Sequence, residues 1–484
     1  MKSQPAYSDE LLPYSRNCGL RLLIVVLCLA IFFTGSLAFG EYEDAGRTQV
    51  PGSPTYEVFS DAVQEEMTQA YLKEIITDLD AKLAMMKAKH LWEDGKWAKV
   101  LRNRLIDLSM WWKFANLTTW VLQTLQDDAS VRKALSFAMP LLDWMCEPFV
   151  FPLNTALPKE QLEMEMDRLA QFVTVKREAG LSVTLDHVAE RSLSHDEAEQ
   201  YLRFYLEIIR HLAVRDDIED INLSLKLSAL VDEPAKLQNV TGTDDKSLEA
   251  VREKETEAKD GLLKLLTAAN EAKEKKVSIC IELGACAYRN AMLAIFKQVV
   301  EENPDVVRNT DGTLRLGIVV QASLRDAHKD LDDLMRWGRD NHLRVPVRLD
   351  KGACDEHEVG LSEKNRDIGS PVWNSQESAD ACYEELSEFL ILNKDCFQFT
   401  FATLDIRSIA HCMALASSYG IGRSEFEFQM PYGMGDEIKE VITTMGYRIQ
   451  LYVPAGPCAH SLKYIGLRFR ELADRDSSVT SCLP

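Results

Sequence analysis

The sequence predicts an α/β fold: a (β/α)8 TIM-like barrel, preceded by an all-helical arm and an N-terminal hydrophobic segment. Three observations carry that expectation. From about residue 170 onward, short β-rich runs alternate with longer amphipathic stretches, and eight such runs fit the count a closed barrel needs. Between residues 57 and 165, apolar residues recur at helical spacing. Ahead of both, Leu22 to Phe33 is an unbroken apolar run that Thr34 to Phe39 extends with small residues.

The bulk composition agrees. A chain of 484 residues, 46% hydrophobic and 27% charged, suits one large globular domain with an accessory segment. The net charge of −21 excludes non-specific nucleic-acid binding, which needs a basic surface. The 11 Cys are odd in number and include no C-x-x-C pair. Cys354 with His357, or Cys458 with His460, are imaginable ligands, but no zinc spacing appears and no metal is expected. Scattered reduced thiols are the plainer reading.

Residues 1–21 form an N-terminal tail, and 22–39 form a membrane anchor or a signal segment. Arg16 and Arg21 precede the apolar run; Glu41, Glu43 and Asp44 follow it. Ser36-Leu37-Ala38 resembles a cleavage site, which would make the protein secreted, but the long acidic-containing tail favours an anchor. The chain is thus expected at a membrane, with the side left open: the basic flank and the thiols point opposite ways. In the arm, Asp61-to-Ala88 and Leu101-to-Leu125 are the clearest helical stretches. Trp111, Trp112 and Trp120 give it an aromatic face of the kind that packs on a neighbouring domain.

The barrel is expected over residues 170–484. Its runs are Leu181-to-Val188, Asn222-to-Ala229, Val277-to-Leu283, Leu314-to-Ala322, Arg344-to-Ala353, Phe397-to-Thr403, Glu425-to-Met430 and Ile449-to-Gly456. Barrel chemistry sits at the C-terminal strand ends. There the chain places Asp186 and Glu190, Lys226, Glu282, Gln321, Arg348 and Lys351, Thr403, Gln429 and Tyr452. Charges inside strands are expensive unless paired, so a ring of them at one mouth marks a site. Gly352-Ala353 and Gly433-Met434-Gly435 offer little side chain and admit a close ligand. A last helix puts Tyr464, Leu467, Arg468 and Glu471 on one face.

Lys226-Leu-Ser-Ala-Leu230, Val320-Gln321-Ala322, Arg348-Leu-Asp-Lys351-Gly-Ala353, Phe401-Ala-Thr403, Glu427-Phe-Gln429, Tyr452-Val-Pro-Ala-Gly456 and Tyr464-to-Glu471 stand in an order that resembles the proline dehydrogenase family. The likeness is greatest to the catalytic barrel of the proline utilisation A flavoproteins and runs from about Gly180 to Glu471. It implies non-covalent FAD in the barrel mouth. It also implies oxidation of L-proline, or a close analogue, to 1-pyrroline-5-carboxylate, with electrons passed to a membrane quinone. Carried over motif by motif, it makes Arg468 the clamp on the substrate carboxylate, oriented by Glu471. Tyr452 and Tyr464 wall the proline ring, and Lys226 and Glu282 form a charge pair behind the substrate. Gln321, Arg348, Lys351, Gly352, Ala353, Thr403 and Gln429 would hold FAD.

The chain also departs from that pattern. Leu467 stands where the family has a first Arg, which leaves Glu190 without its implied partner. Glu282 replaces an Asp, Cys354 and Asp355 replace two aromatics, Leu404-Asp405 replaces His-Asn, and Asn374-Ser375-Gln376 replaces Thr-Arg-Lys. A second reading therefore stands beside the enzyme: a barrel with weakened catalysis that serves as a binding or interaction protein. A metal-dependent hydrolase fits poorly, because among nine His only His187 lies near a strand end.

Overall fold

The computed structural model describes residues 72–79, 81–83, 149–188, 192, 194–237, 245–272, 274–352, 371–373, 375–456 and 464. The chain divides into two units: residues 1–63, 94–146 and 461–484, and residues 64–93 and 147–460. In the first, Tyr464 is helical and half-buried. The tail, the 22–39 segment, most of the helical arm, Glu190, Ala353, Leu467, Arg468 and Glu471 lie outside the described residues. Among the described residues, no helix is long and apolar enough to cross a membrane.

The second unit is a closed barrel of eight parallel strands. A two-residue strand β1 (Phe151–Pro152) and a long helix α1 (Lys159–Glu178) lead into β2 (Leu181–His187). There follow α2 (His195–Ala213), β3 (Asp220–Lys226), α3 (Asp245–Glu271), β4 (Lys276–Glu282), α4 (Arg289–Glu302), β5 (Leu316–Gln321), α5 (Ala327–Asp340) and β6 (Val345–Asp350). The circuit closes through α6 (Gln376–Leu392), β7 (Phe397–Ala402), α7 (Ile406–Ser418), β8 (Glu427–Pro431), α8 (Asp436–Thr444) and β9 (Arg448–Gly456). Strands β2 to β9 pair in sequence order, and β9 closes on β2 over Leu181–His187. β1 extends β9 in parallel at Ala455 and Gly456.

The barrel begins earlier than expected. The helical residues at 72–83 bury Leu79 and Leu83 in the same apolar core as the strands. Phe151 on β1 and Met166, Leu169, Ala170 and Val173 on α1 join them. Part of the stretch read as a helical arm therefore packs on the barrel core.

Alternation along each strand sorts the side chains. Ile221, Leu223 and Leu225 on β3, Val277, Ile279 and Ile281 on β4, and Val345, Val347 and Leu349 on β6 enter the apolar cluster. The intervening residues include Asp186, Ser224, Lys226, Glu282, Arg348, Gln429 and Gln450, which are also buried. These contact one another across non-adjacent strands, Ser224 on β3 with Arg348 on β6, so they must point into the barrel. The apolar layer faces the helices, and the lumen is polar.

Strand limits match expectation within a few residues. The exception in kind is Leu227–Ala229, which extends no strand but turns as a 3-10 helix directly after Lys226. This turn carries the chain out of the barrel wall as soon as the Lys226 side chain has been placed.

Candidate active site

Two ion pairs lie in the lumen at the C-terminal strand ends. Lys226 Nζ is 3.1 Å from Asp186 Oδ2, between neighbouring strands β3 and β2. The Arg348 guanidinium bonds Glu282 Oε1, across from β6 to β4. Its second nitrogen donates to Ser224 Oγ at 2.8 Å, and Ser224 also bonds Glu282. The four charges sum to zero, which is what makes them tolerable in a buried lumen. Tyr452 donates its hydroxyl to Asp186 Oδ2 at 2.5 Å, and its ring lies 5.6 Å from the Arg348 guanidinium carbon. Asp186 on β2 thereby gathers side chains from β3 and β9.

The pairing implied for Lys226 with Glu282 is replaced by this arrangement. The two residues sit side by side in the β3–β4 ladder and feel each other's charge, but Glu282 is bonded by Arg348 and Lys226 by Asp186. Burial alone would raise Glu282; Arg348 and then Lys226 outweigh it and hold the carboxyl below its usual range. Asp186 goes the other way. Burial, aided by the nearby Glu282 charge, pushes it up to about 6 against the pull of Lys226. Arg348 is raised: burial disfavours its charge, and Glu282 more than offsets that. Burial pushes the neighbouring Cys280 thiol up to about 11, which disarms it as a nucleophile.

Behind Asp186 sits a pair of tyrosines from α2 that the sequence reading did not single out. The β2–β3 ladder holds only from Thr184↔Asn222 to Asp186↔Ser224. Beyond it the strands part, and buried hydroxyls take over the backbone groups. Tyr201 accepts from the Lys226 N–H at 2.7 Å. Tyr205 accepts from the His187 N–H at 3.0 Å, donates to the Ser224 carbonyl at 2.5 Å, and lies 3.4 Å from Asp186 Oδ1. The signal was the spacing: Tyr201, Phe204, Tyr205 and Ile208 are the buried stripe of α2. The polar tips of tyrosines in such a stripe require partners.

The β6–β7 corner is different. Lys351, 3% exposed, lies against two carboxylates, Asp380 Oδ1 of α6 at 2.6 Å and Asp405 Oδ2 at the start of α7. Asp405 also accepts from the Arg407 N–H as the cap of α7, and its own N–H donates to Thr403 Oγ1. Lys351 outweighs burial and holds Asp405 below its usual range. Gly352 has φ of 74°, and a Cβ there would come within 2.2 Å of Ser323 Oγ. Its glycine is therefore already demanded by the neighbouring β5 turn, whatever ligand comes near. Gln429, the remaining cofactor candidate on β8, donates to Gln450 Oε1 at 2.5 Å, and Gln321 ends β5 half-buried.

The structure thus brings Lys226, Glu282, Arg348, Tyr452, Lys351, Gly352, Thr403, Gln321 and Gln429 to one end of the barrel. After β2, after β3 and on α3, His195, Asp232 and Glu257 present ligand atoms within 4.8 Å of one another. There Lys254 Nζ already supplies a cation, 2.5 Å from Asp232 and 2.6 Å from Glu257.

Comparison with known proteins places this barrel. Residues 170–481 match the family model for proline dehydrogenase. Proline dehydrogenase 2 of Bacillus subtilis is 28% identical over 304 residues, 62% of this chain and 80% of that one. The bifunctional protein PutA of Rhizobium meliloti is 25% identical over 409 residues, 80% of this chain and 30% of that one. The solved structure of proline utilization A from Bdellovibrio bacteriovorus superposes with a TM-score of 0.66 at 22% identity, covering 85% of this chain. The chain spans 41% of that longer protein, so the likeness concerns the fold. The match over 170–481 takes in every strand of the barrel and both luminal ion pairs, and the chain belongs to the proline dehydrogenase family.

Proposed function

We propose that the chain oxidises L-proline or a close analogue to 1-pyrroline-5-carboxylate, using FAD and passing electrons to a membrane quinone. The observation that carries this reading is the paired set Asp186–Lys226 and Glu282–Arg348 at the barrel mouth of a proline dehydrogenase family member.

The residues present fit a flavin ring. Arg348 and Gln429 are buried donors on β6 and β8, and Gln321 is a half-buried carboxamide ending β5. These are the groups that ring carbonyls and nitrogens accept from. When bound, FAD supplies the hydride acceptor. The protein's own work is positional. Tyr452 presents a ring wall fixed by its bond to Asp186. Lys226, neutralised by Asp186, offers an ammonium that places little net charge against a substrate amine. Arg348 is immobilised from two sides, by Glu282 and Ser224. Pre-set geometry of this sort removes entropy from the reacting pair before chemistry begins. The carboxylate clamp is assigned to Arg468, with Tyr464 and Glu471 beside it, on the resemblance of Tyr464-to-Glu471 alone. The 22–39 run is proposed to hold the chain at a membrane, near its acceptor.

One observation favours the second reading, a weakened barrel that binds rather than turns over. Lys351, implied as a cofactor contact, is matched by two carboxylates, so its corner of the mouth is acidic overall. A single experiment separates the two. The full chain, purified in detergent, should show flavin absorbance bands that bleach on adding L-proline. A colourless protein that takes up no added FAD would sink the enzyme reading and leave the binding one.

A further inference from the structure

Asp186 stands at the mouth without a role in the resemblance, yet two residues of the candidate site, Lys226 and Tyr452, converge on it. It is 2% exposed. One carboxylate oxygen takes both the Lys226 ammonium, at 3.1 Å, and the Tyr452 hydroxyl, at 2.5 Å. The other lies 3.4 Å from the Tyr205 hydroxyl, which is itself fixed by the backbone of β2 and β3.

Each of these partners gains a fixed anchor from it. Lysine carries its charge on a flexible four-carbon stem with high rotamer entropy. The Tyr452 hydroxyl sits at the far end of a ring whose face lies near Arg348. A single buried carboxylate, packed from behind against an α2 tyrosine, draws two long groups from β3 and β9 onto one oxygen. It does so where the β2–β3 ladder ends, at Asp186↔Ser224.

We propose that Asp186 is the positioning residue of this site: it sets the pose of Tyr452 and Lys226 against the substrate, and so governs capture of the substrate ring. The assignment rests on the proline-oxidising reading above. It makes a geometric demand, because position matters as well as charge. Moving the carboxylate by one methylene should harm the site almost as much as neutralising it.

The test is steady-state kinetics of the full chain with L-proline and a soluble dye as electron acceptor, which removes the quinone from the assay. The variants are Asp186→Asn, Asp186→Glu, Tyr452→Phe and the double variant Asp186→Asn/Tyr452→Phe. Thermal unfolding midpoints confirm that each is folded. Asp186→Asn and Asp186→Glu should each lower kcat/KM by about 10- to 100-fold, chiefly through KM, as expected for misplacement on the scale of an ångström. The double variant should fall within about threefold of the worse single one, because both act on one unit. If Asp186→Glu retains wild-type KM, or if the two single losses multiply in the double variant, the assignment is overturned while the function stands. A wild-type protein that does not reduce the dye with proline overturns the function, and the assignment with it.

Discussion

Arg348 and Glu282 put opposite charges into the lumen from strands that are not neighbours, and each is buried. Breaking such a pair is worse than never having had it, since one charge is left in the interior without compensation. Glu282→Gln should therefore destabilise the barrel by about 3–5 kcal/mol in urea unfolding. Adding Arg348→Met should recover part of that loss, because no orphan charge then remains. Equal and additive losses would show that the two side chains act independently. Residues of this kind were legible in the sequence as polar interruptions at strand ends: Lys226, Glu282, Arg348 and Gln429 were all marked. Which of them would pair with which was not. Lys226 was assigned to Glu282, its ladder neighbour, and bonds Asp186 instead. Lys351 meets Asp380, which comes from the face of a helix 29 positions later. Partner choice depends on side-chain length and on the curvature of the closed wall, and neither is written in local spacing.

At the scale of the element, the strands were found because the helix-facing set is so uniform. Phe397, Phe399 and Phe401 on β7, or Ile449, Leu451 and Val453 on β9, give period-two runs that no helix would show. The turns were read less well. Leu227-Ser228-Ala229 reads as a continuation of β3, but it turns as a 3-10 helix with all three residues buried. Gly352 was read as room for a ligand, while the structure gives it a nearer reason: positive φ and the Ser323 hydroxyl beneath it. Gly352→Ala should therefore destabilise the free protein by about 1–3 kcal/mol through backbone strain and that contact. Adding Ser323→Gly should relieve only the contact part. Thermal or urea unfolding in the absence of added flavin reads this directly. A loss that appears only when flavin is present would return Gly352 to the ligand.

The whole molecule shows why a barrel tolerates such a lumen. Its stability comes from the apolar layer between strands and helices, which leaves the inside free to hold charges in balanced pairs. This layering made the architecture readable from sequence. The N-terminal expectations, by contrast, lie largely beyond the described residues, and residues 64–93 group with the barrel. The cost of the polar lumen appears in its pH dependence. Glu282 in the lumen and Asp405 beside Lys351 are held low by their partners, so they stabilise the fold above the ordinary carboxylate range and lose that contribution in acid. Asp186 works in the opposite sense. With its folded value near 6, the folded state keeps a proton that the unfolded chain releases at about pH 4. Stability from this group therefore falls as pH rises between those limits and is level above them. The stability difference between the wild-type protein and Asp186→Asn should accordingly change with pH in urea unfolding. The wild-type advantage, or the smallness of its deficit, should shrink by about 1–3 kcal/mol from pH 4 to pH 6 and then stay constant to pH 8. A difference that is flat across pH 4 to 6 would mean that Asp186 ionises in the ordinary carboxylate range, with Lys226 and Tyr452 fully compensating its burial.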